Sequence, residues 1–203
     1  MFDGKFRKVV DARTAPIGRF LVRLGFSADV LTGSGLLFAA ATGAAIGSGH
    51  HLWAVVLLTL TGAHDLFDGP VAKASKSASV RGAFFDSVID RVSDALLLAG
   101  VAWFLEVRHH GTMVLLPFAL LSVTFMISYE RSKAESLGLG AKGGLMERAE
   151  RMILLGVALL QHSLFLPVLW VLLVLSTLTA LGRFQRVWRA ATVAAREAAT
   201  TEG

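Results

Sequence analysis

Residues 164–182 read LFLPVLWVLLVLSTLTALG, without one charged side chain. A helix needs about 20 apolar residues to cross the hydrocarbon core of a bilayer, and this stretch meets that length. Working back from it, five more apolar stretches stand at about Arg148–His162, Thr112–Ala134, Gly82–Leu105, His51 into the low 70s, and Val30–Gly47. Of the 203 residues, 54% are hydrophobic and 17% charged, with a mean hydropathy of +0.62. One aqueous core of this size cannot hold so much apolar surface, which excludes a soluble globular domain and a disordered chain. The expected fold is all-α: a polytopic membrane protein of six transmembrane helices, in a single domain over residues 1–203. Pro167 suits the first turn of the last span, where a missing N–H costs nothing.

Residues 5–25 mix Val9, Val10, Ile17, Phe20, Leu21 and Leu24 with Lys5, Arg7, Lys8, Arg13, Arg19 and Arg23. That mixture predicts an N-terminal amphipathic helix lying in the headgroup plane, broken near Pro16. Residues 190–203 read as a C-terminal tail without identifiable chemistry. No cleavable leader is apparent.

The net charge is +5 and the pI near 10.1. No nucleic-acid motif accompanies it, and basic loops facing anionic lipid account for it. With the N-terminus inside, every Lys and Arg but Arg108 falls in the N-terminal segment, the second-to-third connection, the fourth-to-fifth connection or the C-terminal end. The rule that positive loops stay inside then places both termini in the cytoplasm of a multi-pass cell-membrane protein. There is no cysteine, so disulfides, thiolate metal sites and cysteine nucleophiles are excluded. His50, His51, His109, His110 and His162 read as interfacial, as do Trp53, Trp103, Trp170 and Trp188. His64 reads as packed or at a cavity edge, since it points away from its neighbour Asp65.

The acidic residues are clustered. Asp65, Asp68, Asp86, Asp90 and Asp94 stand at the inner ends of the second and third spans. Ionised groups in a membrane helix are costly, so they either line a wet cavity or bind cations. Asp65 and Asp68 are spaced i,i+3, and Asp86 and Asp90 i,i+4, so each pair shares a helical face. A short connection makes the two helices antiparallel neighbours, and their carboxylates converge. Four carboxylates balance two divalent cations, and oxygen-only ligation favours Mg²⁺ or Mn²⁺ over zinc. Such a pair of metals suits phosphoryl chemistry. Gly69 and Gly82 leave room for a bulky group, Lys73 reaches toward a phosphate, and Ser79 offers a hydrogen bond. Asp94 continues the i+4 series after Asp90 and is expected to pair with Arg91 or to cap polar contacts, outside the site.

The stretch Asp65-Leu-Phe-Asp68-Gly69-Pro-Val-Ala72-Lys73, followed by Gly82-xxx-Asp86-xxx-Asp90, resembles the signature of the CDP-alcohol phosphotransferase family, D-x2-D-G-x2-A-R-x8-G-x3-D-x3-D. Every spacing matches, and Lys73 stands where the pattern has Arg, keeping the charge but losing the bidentate fork. The resemblance implies six transmembrane helices, a homodimer, two divalent metals, and transfer of a substituted phosphoryl group from a CDP-linked donor to an alcohol with release of CMP. It makes Asp65, Asp68, Asp86 and Asp90 the metal ligands and Asp90 the general base. Gly69, Lys73 and Ser79 would contact the CDP part of CDP-diacylglycerol. Asp29, Val30, Leu31 and Thr32, in an element matching the family's except at Ala28, would help form the cytidine pocket.

A second cluster concerns the acceptor. Ser128 and Arg131 end the fourth span, Arg151 lies in the run Glu147-Arg148-Ala-Glu150-Arg151, and Arg183 ends the sixth. Cations from three helices at one depth suit a phosphate dianion. These positions are similar to those that bind inositol phosphate in the actinobacterial phosphatidylinositol phosphate synthases. The reaction so implied joins CDP-diacylglycerol and myo-inositol phosphate to give phosphatidylinositol phosphate and CMP. Glycerol 3-phosphate, the acceptor of phosphatidylglycerophosphate synthase, is the alternative. A membrane ion transporter would spread its carboxylates through the bilayer depth, which these are not. A cation-binding protein without catalysis would follow if Lys73 disabled the donor site.

Overall fold

The computed structural model describes residues 5–75, 77, 79–108, 111–140 and 143–201. Lys76, His109, His110 and Lys142, and the side chains of Lys5, Arg7, Lys8, Val9, Val10 and His162, lie outside the described residues. Among the described residues the regular structure is all helical: α1 (Lys5–Arg23), α2 (Ala28–Gly47), α3 (His51–Ala74), α4 (Val80–Arg108), α5 (Leu115–Ser136), α6 (Arg148–Leu160) and α7 (Phe165–Thr201), with short 3-10 turns ahead of α5 and α7. Each of the six apolar stretches is a helix. Three segments, Ala28–Gly47, Gly111–Ser136 and Phe165–Glu197, are long and apolar enough to cross a membrane.

Local chemistry sets the ends that matter. Ser27, in extended conformation, caps α2 by accepting from the Val30 N–H at 3.3 Å. Gly49, at φ 79°, closes its other end, with the His50 N–H reaching back to the Ala45 carbonyl at 2.8 Å. Ser79 starts α4, its hydroxyl accepting from the Gly82 N–H at 3.1 Å.

Packing then places the helices. At Gly43 and Gly100 the backbones of α2 and α4 touch: a Cβ on Gly100 would fall on the Gly43 carbonyl, and one on Gly43 on the carbonyl of Leu96. Small residues permit this approach where lipid supplies no hydrophobic drive. A core of Ile46, Leu58, Leu97, Val101, Phe104, Leu120, Leu155, Leu169 and Leu172 ties α2–α7 together.

Three expectations are corrected. Pro16 does not break α1, which runs through it. The proline removes one helical hydrogen bond, and the helix is held by α3, where Gly18 sits so close that a Cβ would meet the Pro70 backbone at 2.8 Å. Residues 190–201 are not a separate tail but the last turns of α7. Nor do α3 and α4 pack side by side: both pack extensively on α2, with little direct contact between them. The small residues of α2 let it serve both, and the opening left between α3 and α4 holds the carboxylates.

Candidate active site

Three cavities meet at the ends of α3, α4 and α6. The largest, of about 650 Å³, has Asp65, Asp68, Asp86, Asp90 and Arg148 at one end and Leu58, Gly62, Ile153 and Gly156 along its walls. All four carboxylates predicted to converge therefore border one space. Within it, Asp68 and Asp86 lie close enough to act on each other's charge, and Asp68 accepts from the Gly69 N–H at 2.5 Å. Asp65 and Asp90 turn instead toward Arg148, whose Nη1 lies 2.7 Å from Asp65 Oδ2 and also donates to Asp90 Oδ1. Arg148 Nε reaches Asp94 Oδ1 at 3.3 Å.

Among the described residues, no three His, Asp or Glu side chains close a ready-made metal cage. The guanidinium of Arg148 draws Asp65 and Asp90 to itself. The donor set is nonetheless the one hard divalent cations take: carboxylate oxygens only, in excess of the positive charge beside them. These residues fit such a metal.

The second cavity, of about 240 Å³, gathers most of the residues expected to hold the donor, Asp29, Thr32, Gly69, Lys73 and Ser79, beside Gly82, with Asp68 and Asp86 forming the wall shared with the first. Two expected members are absent from it. Val30 is 55% exposed and Leu31 is buried in the core; on a helix the residues between Asp29 and Thr32 point elsewhere. Asp29 is held by Arg81 across 2.7 Å. At Gly69 an added Cβ would meet nothing within 4 Å. A glycine inside a helix costs about 1 kcal/mol relative to alanine, and here no packing contact requires it, so the open space is what it preserves.

The third cavity, of about 90 Å³, is lined by all four residues of the basic cluster, Ser128, Arg131, Arg151 and Arg183, together with Asp90, Asp94, Glu147 and Arg148. Arg183 is 1% exposed and donates to the Ile127 carbonyl at 2.8 Å and to Glu147 Oε1 at 2.6 Å. Its neighbour Arg186 donates to the Gly143 carbonyl at 2.6 Å, and Thr179 accepts from the Met146 N–H at 3.1 Å. α7 thus pins the loop that delivers α6. Arg151 donates to Asp94 Oδ2 at 3.1 Å.

Asp94 therefore pairs with Arg148 and Arg151, not with Arg91, whose Nη1 lies 3.7 Å from Asp90. Arg91 instead donates to the Ser87 carbonyl at 2.7 Å, while two arginines from α6 supply what a buried carboxylate needs. Asp94, Glu147 and Arg148 belong to the site without having been placed in it from sequence. Arg148 carried a signal, being i,i+3 from Arg151 and so on the same face of α6. His64 is packed as expected, bonded to the Leu60 carbonyl at 2.8 Å and against the Phe38 ring.

With this geometry in view, residues 26–182 match the profile of CDP-alcohol phosphatidyltransferase. The chain belongs to that family. Across it, the chain is 33% identical over 186 residues to archaetidylinositol phosphate synthase of Methanothermobacter thermautotrophicus, covering 91% of this chain and 90% of that one. It is 32% identical over 188 residues to phosphatidylinositol phosphate synthase of Mycobacteroides abscessus, covering 86% and 83%. The crystal structure of Mycobacterium tuberculosis phosphatidylinositol phosphate synthase with CDP-DAG bound superposes with a TM-score of 0.78 at 27% identity, covering 86% of this chain and 93% of that one. The same enzyme in complex with manganese and citrate gives 0.76 at 28% identity, covering 86% and 88%. A CDP-alcohol phosphatidyltransferase built of such apolar helices is a membrane-integral enzyme.

Proposed function

We propose that this enzyme transfers the phosphatidyl group of CDP-diacylglycerol to myo-inositol phosphate, giving phosphatidylinositol phosphate and CMP. The observation that carries the reading is the sharing of walls. Asp68 and Asp86 border both the donor cavity and the carboxylate cavity, and Asp90 borders both the carboxylate cavity and the basic pocket. A donor and an acceptor held in the outer two would meet at the carboxylates.

In this reading Gly69, Lys73, Ser79, Asp29 and Thr32 hold the CDP part, while the lipid follows the apolar wall of the large cavity. Ser128, Arg131, Arg151 and Arg183 orient the acceptor phosphate. Asp90 takes the proton from the attacking hydroxyl; the new P–O bond forms at the phosphorus bearing the diacylglycerol, and the P–O bond to CMP breaks. Asp65, Asp68, Asp86 and Asp90 would hold two Mg²⁺ or Mn²⁺ ions, which when bound neutralise the phosphate charge and make CMP a better leaving group. The relatives' names differ in the lipid and agree in the inositol phosphate, which favours that acceptor over glycerol 3-phosphate. The same reading takes α2–α7 as six spans of one domain, with α1 on the membrane surface, both termini cytoplasmic and two copies forming a homodimer.

CMP release from CDP-diacylglycerol by the purified protein tests this directly. Inositol phosphate is expected to support turnover at least tenfold faster than glycerol 3-phosphate. Chelator is expected to stop it and Mg²⁺ or Mn²⁺ to restore it. Turnover with glycerol 3-phosphate alone would reassign the acceptor.

Two substitutions separate the outer cavities. Arg151→Ala is expected to raise the KM for inositol phosphate about tenfold or more, the cost of a lost charge-assisted hydrogen bond, with the donor KM within twofold. Equal effects on both would count against a dedicated acceptor pocket. Lys73→Arg restores a bidentate donor and is expected to keep or lower the donor KM; a large increase would give Lys73 another role.

A further inference from the structure

Arg148 borders two of the three cavities, and its bonding is lopsided. Nη1 serves both Asp65 and Asp90, Nε faces Asp94, and Nη2 is buried without a hydrogen-bond partner. One nitrogen is doubly engaged while its twin, able to donate two hydrogen bonds, makes none. The same side chain lines the basic pocket beside Ser128, Arg131, Arg151 and Arg183.

We propose that Arg148 is an exchangeable counterion that couples the loading of divalent cations to capture of the acceptor phosphate. This rests on the metal-site reading above. Without metal, its guanidinium neutralises part of the charge on Asp65 and Asp90. Asp65 and Asp90 each give that guanidinium one oxygen and keep a second, so a cation that recruits both oxygens of either carboxylate displaces it. Asp94 then acts as the pivot: it lies 3.3 Å from Nε and is itself held by Arg151 at 3.1 Å, and the planar guanidinium swings past it as one rigid fork. The pocket on the other side of that pivot is the basic one. There Nη2 gains the acceptor partner it lacks, and the pocket gains a cation. Because coupling is reciprocal, cations and acceptor phosphate each tighten the binding of the other. A site of this design assembles its acceptor pocket fully only once the metals are in place.

The test measures binding, not turnover. Mn²⁺ affinity is read from the free-ion electron spin resonance signal, and inositol phosphate affinity by calorimetry, each with and without the other ligand. Chelator-stripped wild type, Arg148→Gln and Arg148→Lys are compared. In Arg148→Gln the competitor is gone, and Mn²⁺ is expected to bind about tenfold tighter, an ordinary size for coupling between two sites. The gain that Mn²⁺ gives to inositol phosphate binding is expected to be about tenfold in wild type and twofold or less in Arg148→Gln. Arg148→Lys keeps the charge but cannot hold Asp94 with one nitrogen and phosphate with another. It is expected to lose the gain while binding Mn²⁺ more weakly than Arg148→Gln does.

Arg148→Gln binding Mn²⁺ no tighter than wild type would overturn the proposal. Should that variant fail to fold, a wild-type gain in Arg148→Lys would overturn it equally. Wild type that binds no Mn²⁺ would take down the metal-site reading and this inference with it, whereas failure confined to the variants leaves that reading standing.

Discussion

Asp90→Asn is expected to lower kcat for CMP release by about a thousandfold, within the range a positioned general base supplies. The amide keeps the shape and one acceptor oxygen but cannot take the proton of the attacking hydroxyl. It also weakens one metal ligand. Folding should survive, because Arg148 retains Asp65 at 2.7 Å and Asp94 at 3.3 Å after Asp90 is neutralised. Thermal unfolding in detergent is therefore expected close to that of wild type. Turnover within threefold of wild type would remove Asp90 from the role of base.

Gly100→Ala is expected to be the most damaging small substitution in the fold. The added methyl would overlap the Gly43 carbonyl, and backbone cannot step aside as a flexible side chain does. Overpacking costs about 1–3 kcal/mol, and the upper end is expected here, read as a lowered unfolding temperature. The damage should extend to the donor cavity, because α2 brings Asp29 and Thr32 to it and α4 brings Gly82 and Asp86. A raised KM for CDP-diacylglycerol is the expected companion. Gly33→Ala is the control: on the same α2 an added Cβ there meets nothing within 4 Å, and alanine favours the helix. Equal losses in both variants would show that glycine content, not the α2–α4 contact, matters.

What could be read from the chain was what depends on neighbours in sequence. The apolar stretches became α2–α7 because hydrophobic length and helical spacing are local properties. Asp65 with Asp68, and Asp86 with Asp90, shared faces for the same reason. The donor residues from Asp68 to Gly82 came together because one short connection carries them. Val30 and Leu31 stand outside the donor cavity: reading the motif as a block puts them in it, whereas each step along a helix turns the side chain by about 100°. Pro16 was over-read, since one lost hydrogen bond is a small cost against the packing of α1 on α3. The end of α7 was under-read: beyond Arg186 the hydropathy falls, yet alanine-rich sequence continues a helix without needing apolar surroundings.

The partner of Asp94 was out of reach because it lies on α6, more than fifty residues away. Opposite charges at such separation can pair in many ways, and only packing selects one. The wedge of α2 between α3 and α4 was hidden similarly. Its Gly- and Ala-rich composition announced close contact but not with which helices.

The length of α7 has a practical use. Thirty-seven helical residues extend about 55 Å, against a hydrocarbon thickness near 30 Å, so this rod outruns any bilayer it crosses. Val193, far along it, is 54% exposed. Because the chain has no cysteine, Val193→Cys offers one unambiguous attachment point for a nitroxide. Dipolar spectroscopy on such labelled protein would return a single intersubunit spacing if two copies associate, and none if each molecule stands by itself.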